Sequence, residues 1–118
     1  MTTDQTFSWM LRVEGAAWCV AALATYASVA DGWTTLLLWG LAPDVALAAY
    51  ALGPVAGARA YNATHHLLGP LLLAAVAPGW LPVAAVWVAH IGMDRALGFG
   101  LKSTEGFGVT HLGRVGRG

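Results

Sequence analysis

Charge is what this chain of 118 residues has least of: Asp, Glu, Lys and Arg together make up 10% of it, against roughly 25% in soluble globular domains. Between Arg59 and Asp94 none of the four occurs. That stretch has room for two spans of the ~20 residues a helix needs to cross hydrocarbon. A soluble four-helix bundle needs a charged outer face on every helix, and these segments do not supply one. Net charge is zero, which removes the electrostatic case for nucleic acid as a partner. A single cysteine, Cys19, excludes an internal disulfide; inside an apolar run it reads as a small buried hydrophobe. The first seven residues lack the basic region of a secretory signal. The first helix is therefore expected to be retained, although Ser28 and Ala30 before Asp31 imitate a cleavage site. There is no His-Glu-x-x-His and no histidine-box array, and the serines lie in terminal or interfacial positions, which leaves a Ser-His-Asp triad unsupported.

What is present is apolar sequence, 58% of the chain. It falls into four segments: about Ser8 to Ala30, Trp33 to Leu52, Val55 to Ala77, and Leu81 to Leu97. Asp31-Gly32, Gly53-Pro54 and Pro78-Gly79 with Pro82 mark the turns between them. Pro43 is expected to kink the second segment, because it removes a backbone bond in mid-membrane. Short turns favour antiparallel neighbours. The expected fold is all-α, a polytopic membrane protein with an up-down bundle of four transmembrane helices over residues 1–97. A glycine-rich cytoplasmic tail over 98–118 is expected either to cover the bundle's cytoplasmic mouth or to remain solvated. Arg12, Arg59, Arg95, Lys102, Arg114 and Arg117 all fall at the start, the second turn or the tail. The positive-inside rule then places both termini and the second turn in the cytoplasm.

The ionisable residues inside these segments carry the functional argument, because such groups are costly in hydrocarbon and by default mark a site. At ~1.5 Å per residue, Asp44, Asn62 and the adjacent His65 and His66 lie roughly 12–18 Å from the cytoplasmic side. His90, Asp94 and Glu14 lie between that depth and the cytoplasmic face. Asp44 follows a mid-helix proline and cannot snorkel, so a proton, a cation or a metal must neutralise it. His90 and Asp94 are four residues apart and share a helix face, as two ligands of one metal or as a carboxylate orienting a base. Tyr61 pairs with His65 by the same spacing and Asn62 with His66. Adjacent histidines diverge by about 100°, so one of the two is expected to face the site and the other to touch a ligand side chain from behind or a neighbouring helix.

Several strings resemble a known family. They are Leu11-Arg-Val-Glu-Gly15, Ala42-Pro-Asp44 with Tyr50 and Gly53-Pro54, Tyr61-Asn62 with His65, His90-Ile-Gly92, Asp94-Arg-Ala-Leu-Gly-Phe-Gly-Leu-Lys102, Phe107 and Thr110-His-Leu-Gly113. The chain resembles the domain-of-unknown-function family 4260, small bacterial membrane proteins, over almost its whole length. The resemblance makes His65 the matched histidine and leaves His66 unmatched. It implies a polytopic membrane fold, adds weight to Glu14, Asp44, Asn62, His65, His90, Asp94, Arg95, Lys102 and His111, and supplies no reaction.

The leading expectation is a small metal-dependent intramembrane hydrolase acting on a lipidic or apolar substrate. Asp44, His65, His90 and Asp94 are its expected zinc or iron ligands. Asp94 and Glu14 are expected as acid or base groups, and Arg95, Lys102 and His111 as groups at an anionic headgroup or oxyanion. Tyr61, Asn62 and His66 are placed around substrate or ligands. Two other readings stand beside it: a proton-coupled transporter of the dimeric small-exporter type, and a bundle holding haem between His65 and His90. The partners expected are the bilayer and, in the exporter reading, a second copy of the chain.

Overall fold

The computed structural model describes residues 3–99, 109–110 and 113–114. Five α-helices carry the fold: α1 Thr3–Val29, α2 Thr34–Trp39, α3 Pro54–Thr64, α4 Leu68–Val76 and α5 Leu81–Ala96. A 3-10 helix, Ala42–Leu52, separates α2 from α3, and a single 3-10 turn, Pro78–Trp80, leads into α5. In the tail, Val109–Thr110 and Gly113–Arg114 pair antiparallel as a two-residue ladder. Lys102 and His111 lie outside the described residues.

The fold is helical as expected, and the picture of four continuous spans needs correction in two places. The second segment is α-helical only to Trp39 and then winds as a 3-10 helix from Ala42. Pro43 near its start has no N–H for an α-helical bond, which explains the change of winding. The third segment is interrupted between Thr64 and Leu68. Proline clashes with the carbonyl four residues earlier, which for Pro70 is His66. Pro70 fits only in a first helical turn, where it now stands. Among the described residues, one segment, Thr34–Leu52, is both long and apolar enough to cross a membrane. The 3-10 part extends it: at ~2.0 Å per residue, against ~1.5 Å for the α part, the whole reaches about 32 Å, near the ~30 Å of a bilayer core.

Helices α1 and α5 form the main packing unit and run antiparallel. Gly15 meets the turn of Gly92 to Ala96, and Gly92 in turn meets Gly15 and Cys19. A Cβ added to Gly92 would lie 2.6 Å from the Cys19 nitrogen and from the Gly15 carbonyl, so the two backbones touch. Small residues permit such contact and are the usual means of helix association where no hydrophobic drive separates protein from lipid. Further along, Ala22 meets Ala89, and Tyr26 packs with Ala85 and Val86. The Tyr26 hydroxyl donates to Gly32 O at 2.6 Å and accepts from the Leu36 N–H at 3.1 Å, tying the first turn of α2 to α1. Arg12 Nε donates to Ala96 O at 3.0 Å and so closes the C-terminus of α5.

The distribution of side chains is inverted relative to a soluble domain. Buried positions are mostly Ala and Cys with two tyrosines, whereas Leu37 and Leu52 are 81% and 82% exposed. The 3-10 helix packs mainly on α3, and α2 and α4 pack on α5. Gly53, at φ 111°, makes the sharp corner between the 3-10 helix and α3, a backbone region that favours glycine. These contacts bring the first turn of the 3-10 helix, the end of α3 and the middle of α5 to one point.

Candidate metal centre

Four side chains converge there: Asp44 from the 3-10 helix, His65 at the C-cap of α3, and His90 and Asp94 one turn apart on α5. One donor atom from each lies within 4.8 Å of all the others. His65 Nε2 is 3.1 Å from Asp44 Oδ1 and 3.2 Å from Asp94 Oδ2. His90 Nε2 is 3.0 Å from Asp44 Oδ1 and 3.2 Å from Asp94 Oδ2. The two Nε2 atoms are 3.2 Å apart. Metal–nitrogen and metal–oxygen bonds of 2.0–2.2 Å at a tetrahedral zinc give ligand–ligand edges of about 3.3–3.5 Å. Five of the six edges here fall a few tenths of an ångström inside that value.

The far side of each imidazole decides which atom points inward. His90 Nδ1 lies 2.6 Å from Gly40 O, and His65 Nδ1 lies 2.9 Å from Tyr61 O. A carbonyl only accepts, so Nδ1 is the donor in both of these contacts, with the Thr64 hydroxyl also 2.9 Å from His65 Nδ1; each ring thereby presents its Nε2 to the cluster, as a lone pair when the ring is neutral. Metal-ligating histidines are held in this way, by a hydrogen bond from the second nitrogen to a carbonyl or carboxylate. Two lone pairs and two carboxylates at 3 Å repel one another unless a proton or a metal cation lies between them. A divalent ion leaves the set electroneutral, which suits apolar surroundings. The side chains of His65 and His90 are 3% and 7% exposed, that of Asp94 20% and that of Asp44 36%, so the approach from outside is on the Asp44 side.

The broken end of α3 sets the position of His65, and α5 holds that end. A helix terminus away from water leaves carbonyls that need donors. Trp87 Nε1 donates to Thr64 O, and Arg95 Nη2 donates to His65 O at 3.3 Å. Thr64 Oγ1 lies 3.0 Å from Pro43 O, joining the residue before His65 to the residue before Asp44. The Tyr61 ring stacks on His65 with centroids 3.7 Å apart and planes 8° apart, and its hydroxyl is 3.5 Å from Asp94 Oδ2.

Of the residues expected from sequence, the structure thus gathers Asp44, His65, His90 and Asp94, with Tyr61 and Arg95 around them. Glu14 is not among them. It is exposed on α1, beside Trp9, Met10 and Val13, because α1 turns Gly15 and Cys19 towards α5 instead. His66 is exposed, and its Nδ1 accepts the Leu68 N–H at 3.1 Å, which caps the start of α4. Asn62 is half-buried on α3. Arg95 closes α3, a role that the sequence reading had not given it. Thr64, Trp87 and Gly40, which support the cluster, escaped that reading. Only the indole of Trp87 carried a signal, as a polar atom in an apolar run. The His65 and His90 ring centroids are 5.1 Å apart and their Nε2 atoms 3.2 Å apart, a spacing that suits one ion shared by both rings better than a porphyrin seated between them.

Fold and cluster together define a small helical protein with a two-histidine, two-aspartate donor set and one segment able to cross a membrane. The chain belongs to the family described as a domain of unknown function (DUF4260), whose model matches residues 8–115 and takes in all four donors. No curated protein and no solved structure matches the chain.

Proposed function

We propose that this protein is an integral membrane protein that binds one divalent metal ion, zinc or iron(II), at Asp44, His65, His90 and Asp94, and uses it for hydrolysis of an apolar substrate. The observation that carries this reading is the set of five donor–donor distances of 3.0–3.2 Å with both Nε2 atoms aimed inward. Nitrogen and oxygen donors without sulfur suit zinc, iron(II) or manganese. The neutral sum of two carboxylates and a divalent ion disfavours an oxidised, trivalent state, and that favours hydrolysis over redox chemistry. A bound ion of this kind would supply Lewis acidity, and a water taken up as a fifth ligand on the more exposed Asp44 side would have its pKa brought to near 7. Hydrolysis adds water across a bond, hydroxyl to the electrophile and proton to the leaving group, and requires no other reagent. The chain itself orients both imidazoles through Gly40 and Tyr61 and leaves its open side at Asp44.

The supporting experiment is metal analysis of protein purified in detergent without chelators. Wild type is expected to hold about one zinc or iron per chain, and His90→Ala and Asp44→Ala to hold less than a tenth of that. A wild type free of both metals would sink this reading. Proton-coupled transport would then take its place, a reading favoured by the interrupted α3–α4 helix beside a buried ionic cluster.

A further inference from the structure

Beside the cluster is a cavity of about 280 Å³ whose walls are Trp39, Trp80, Trp87, Leu73 and Val83. We propose that it holds a single hydrocarbon chain, so that the substrate of the metal centre is a single-chain acyl amphiphile; this rests on the hydrolase reading above. Four observations lead there.

The first is chemistry. The polar groups nearest the cavity are already engaged: the Thr64 hydroxyl lies against Pro43 O, and the Thr64 carbonyl takes the Trp87 indole N–H. What remains is chiefly hydrocarbon and indole ring, which offers an occupant contact area more than hydrogen bonds. The second is position. Pro43 and Thr64 both line the cavity and immediately precede Asp44 and His65 in the chain. Neighbouring Cα atoms are ~3.8 Å apart, so the polar end of a chain seated there lies within one residue's reach of two metal ligands.

The third is preorganisation. The Trp87 ring is bonded at its nitrogen and lies against Gly69, where an added Cβ would come within 2.7 Å of it. Trp39 and Trp80 brace each other edge to face, with centroids 6.3 Å apart. The walls are therefore held apart by packing, as in preformed ligand sites. The fourth is size. The cavity lies just under the ~300–1,000 Å³ of sites for drug-sized ligands, which admits one chain between its walls.

The test uses 12-bromododecanoate as probe, because bromine quenches indole fluorescence on contact. Full-length protein in nanodiscs of two-chain phosphatidylcholine, freed of single-chain detergent, is titrated, and metal content is measured on the same samples. Wild type is expected to show a saturable quenching component. Val83→Phe, which fills the cavity, is expected to weaken half-saturation at least tenfold and to keep the metal. If Val83→Phe fails to fold, Leu73→Ala decides: it enlarges the cavity and is expected to move the preference to a longer brominated chain by severalfold. Saturable quenching that survives in metal-retaining Val83→Phe overturns the proposal, as does its absence from wild type or an unchanged chain preference in Leu73→Ala. If Val83→Phe leaves quenching intact and converts a dimer to a monomer, the occupant is a second copy of the chain and the proposal falls. His90→Ala separates the two readings, since it is expected to lose metal and keep the quenching. Saturable quenching in a wild type without metal would support the chain site and defeat the metal centre.

Discussion

At the scale of single residues, two adjacent histidines show how little chain position alone decides. His65 ends α3 with its ring folded back on Tyr61 and its Nε2 in the cluster, while His66 turns outward and caps α4. His65→Ala is expected to abolish metal binding. His66→Ala is expected to retain the full metal content and to lose only about 0.5–1.5 kcal/mol of stability, the usual value of one hydrogen bond. Metal analysis and thermal melting of the two variants test this, and equal metal loss in both would contradict the assignment. The four donors were legible from sequence because charge in an apolar run is conspicuous, and the i, i+4 pair of His90 and Asp94 put two of them on one face. What had to wait for the structure was supplied by backbone. Gly40 O and Tyr61 O fix the two tautomers, and a carbonyl leaves no mark on composition. Glu14 was conspicuous for the same reason as the others, and a quarter-turn of α1 sends it outward.

At the scale of elements, the end of α1 and both boundaries of α5 were readable from apolar length and from the flanking turns, whereas α1 begins at Thr3, ahead of the apolar run that starts near Ser8. The interruption of the third segment was not, although its cause was in view. Pro70 lies inside the apolar run from Val55 to Ala77, and its clash with the carbonyl at His66 ends one helix and begins another. The 3-10 winding after Pro43 was likewise expected as a kink. Close contact of α1 with α5 depends on two glycines. Gly92→Ala is expected to push the helices apart and to destabilise the protein by about 1–3 kcal/mol, the range for overpacking. Because His90 and Asp94 flank that glycine, metal affinity is expected to fall with it. Chemical denaturation in detergent together with metal titration measures both, and an unchanged midpoint would show that the contact is looser than described.

At the scale of the whole molecule, composition spoke for a membrane before any helix was placed, and the exposed leucines of α2 and the 3-10 helix agree with it. The chain is expected to stay in the membrane pellet after alkaline carbonate extraction. In a Cys19→Ser background, Asp31→Cys is expected to be labelled from outside the cell and Arg59→Cys only after permeabilisation. Release by carbonate, or the reverse labelling, would count against the proposed topology. The number of crossings was beyond composition, because interrupted helices such as α3 and α4 have the same residues as a continuous one and differ only in where backbone bonds stop.

The donor residues also come in a temporal order. During synthesis Asp44 and His65 emerge first, and the set has two members until α5 follows. Helix α5 docks chiefly on α1, the first helix made, which contributes no donor at all. The centre therefore closes last, when the newest helix finds the oldest, and an ion delivered earlier meets only half of its ligands. If the centre takes a metal as proposed, loading waits for α5, and a ribosome stalled before residue 90 holds a protein whose donor set is half assembled.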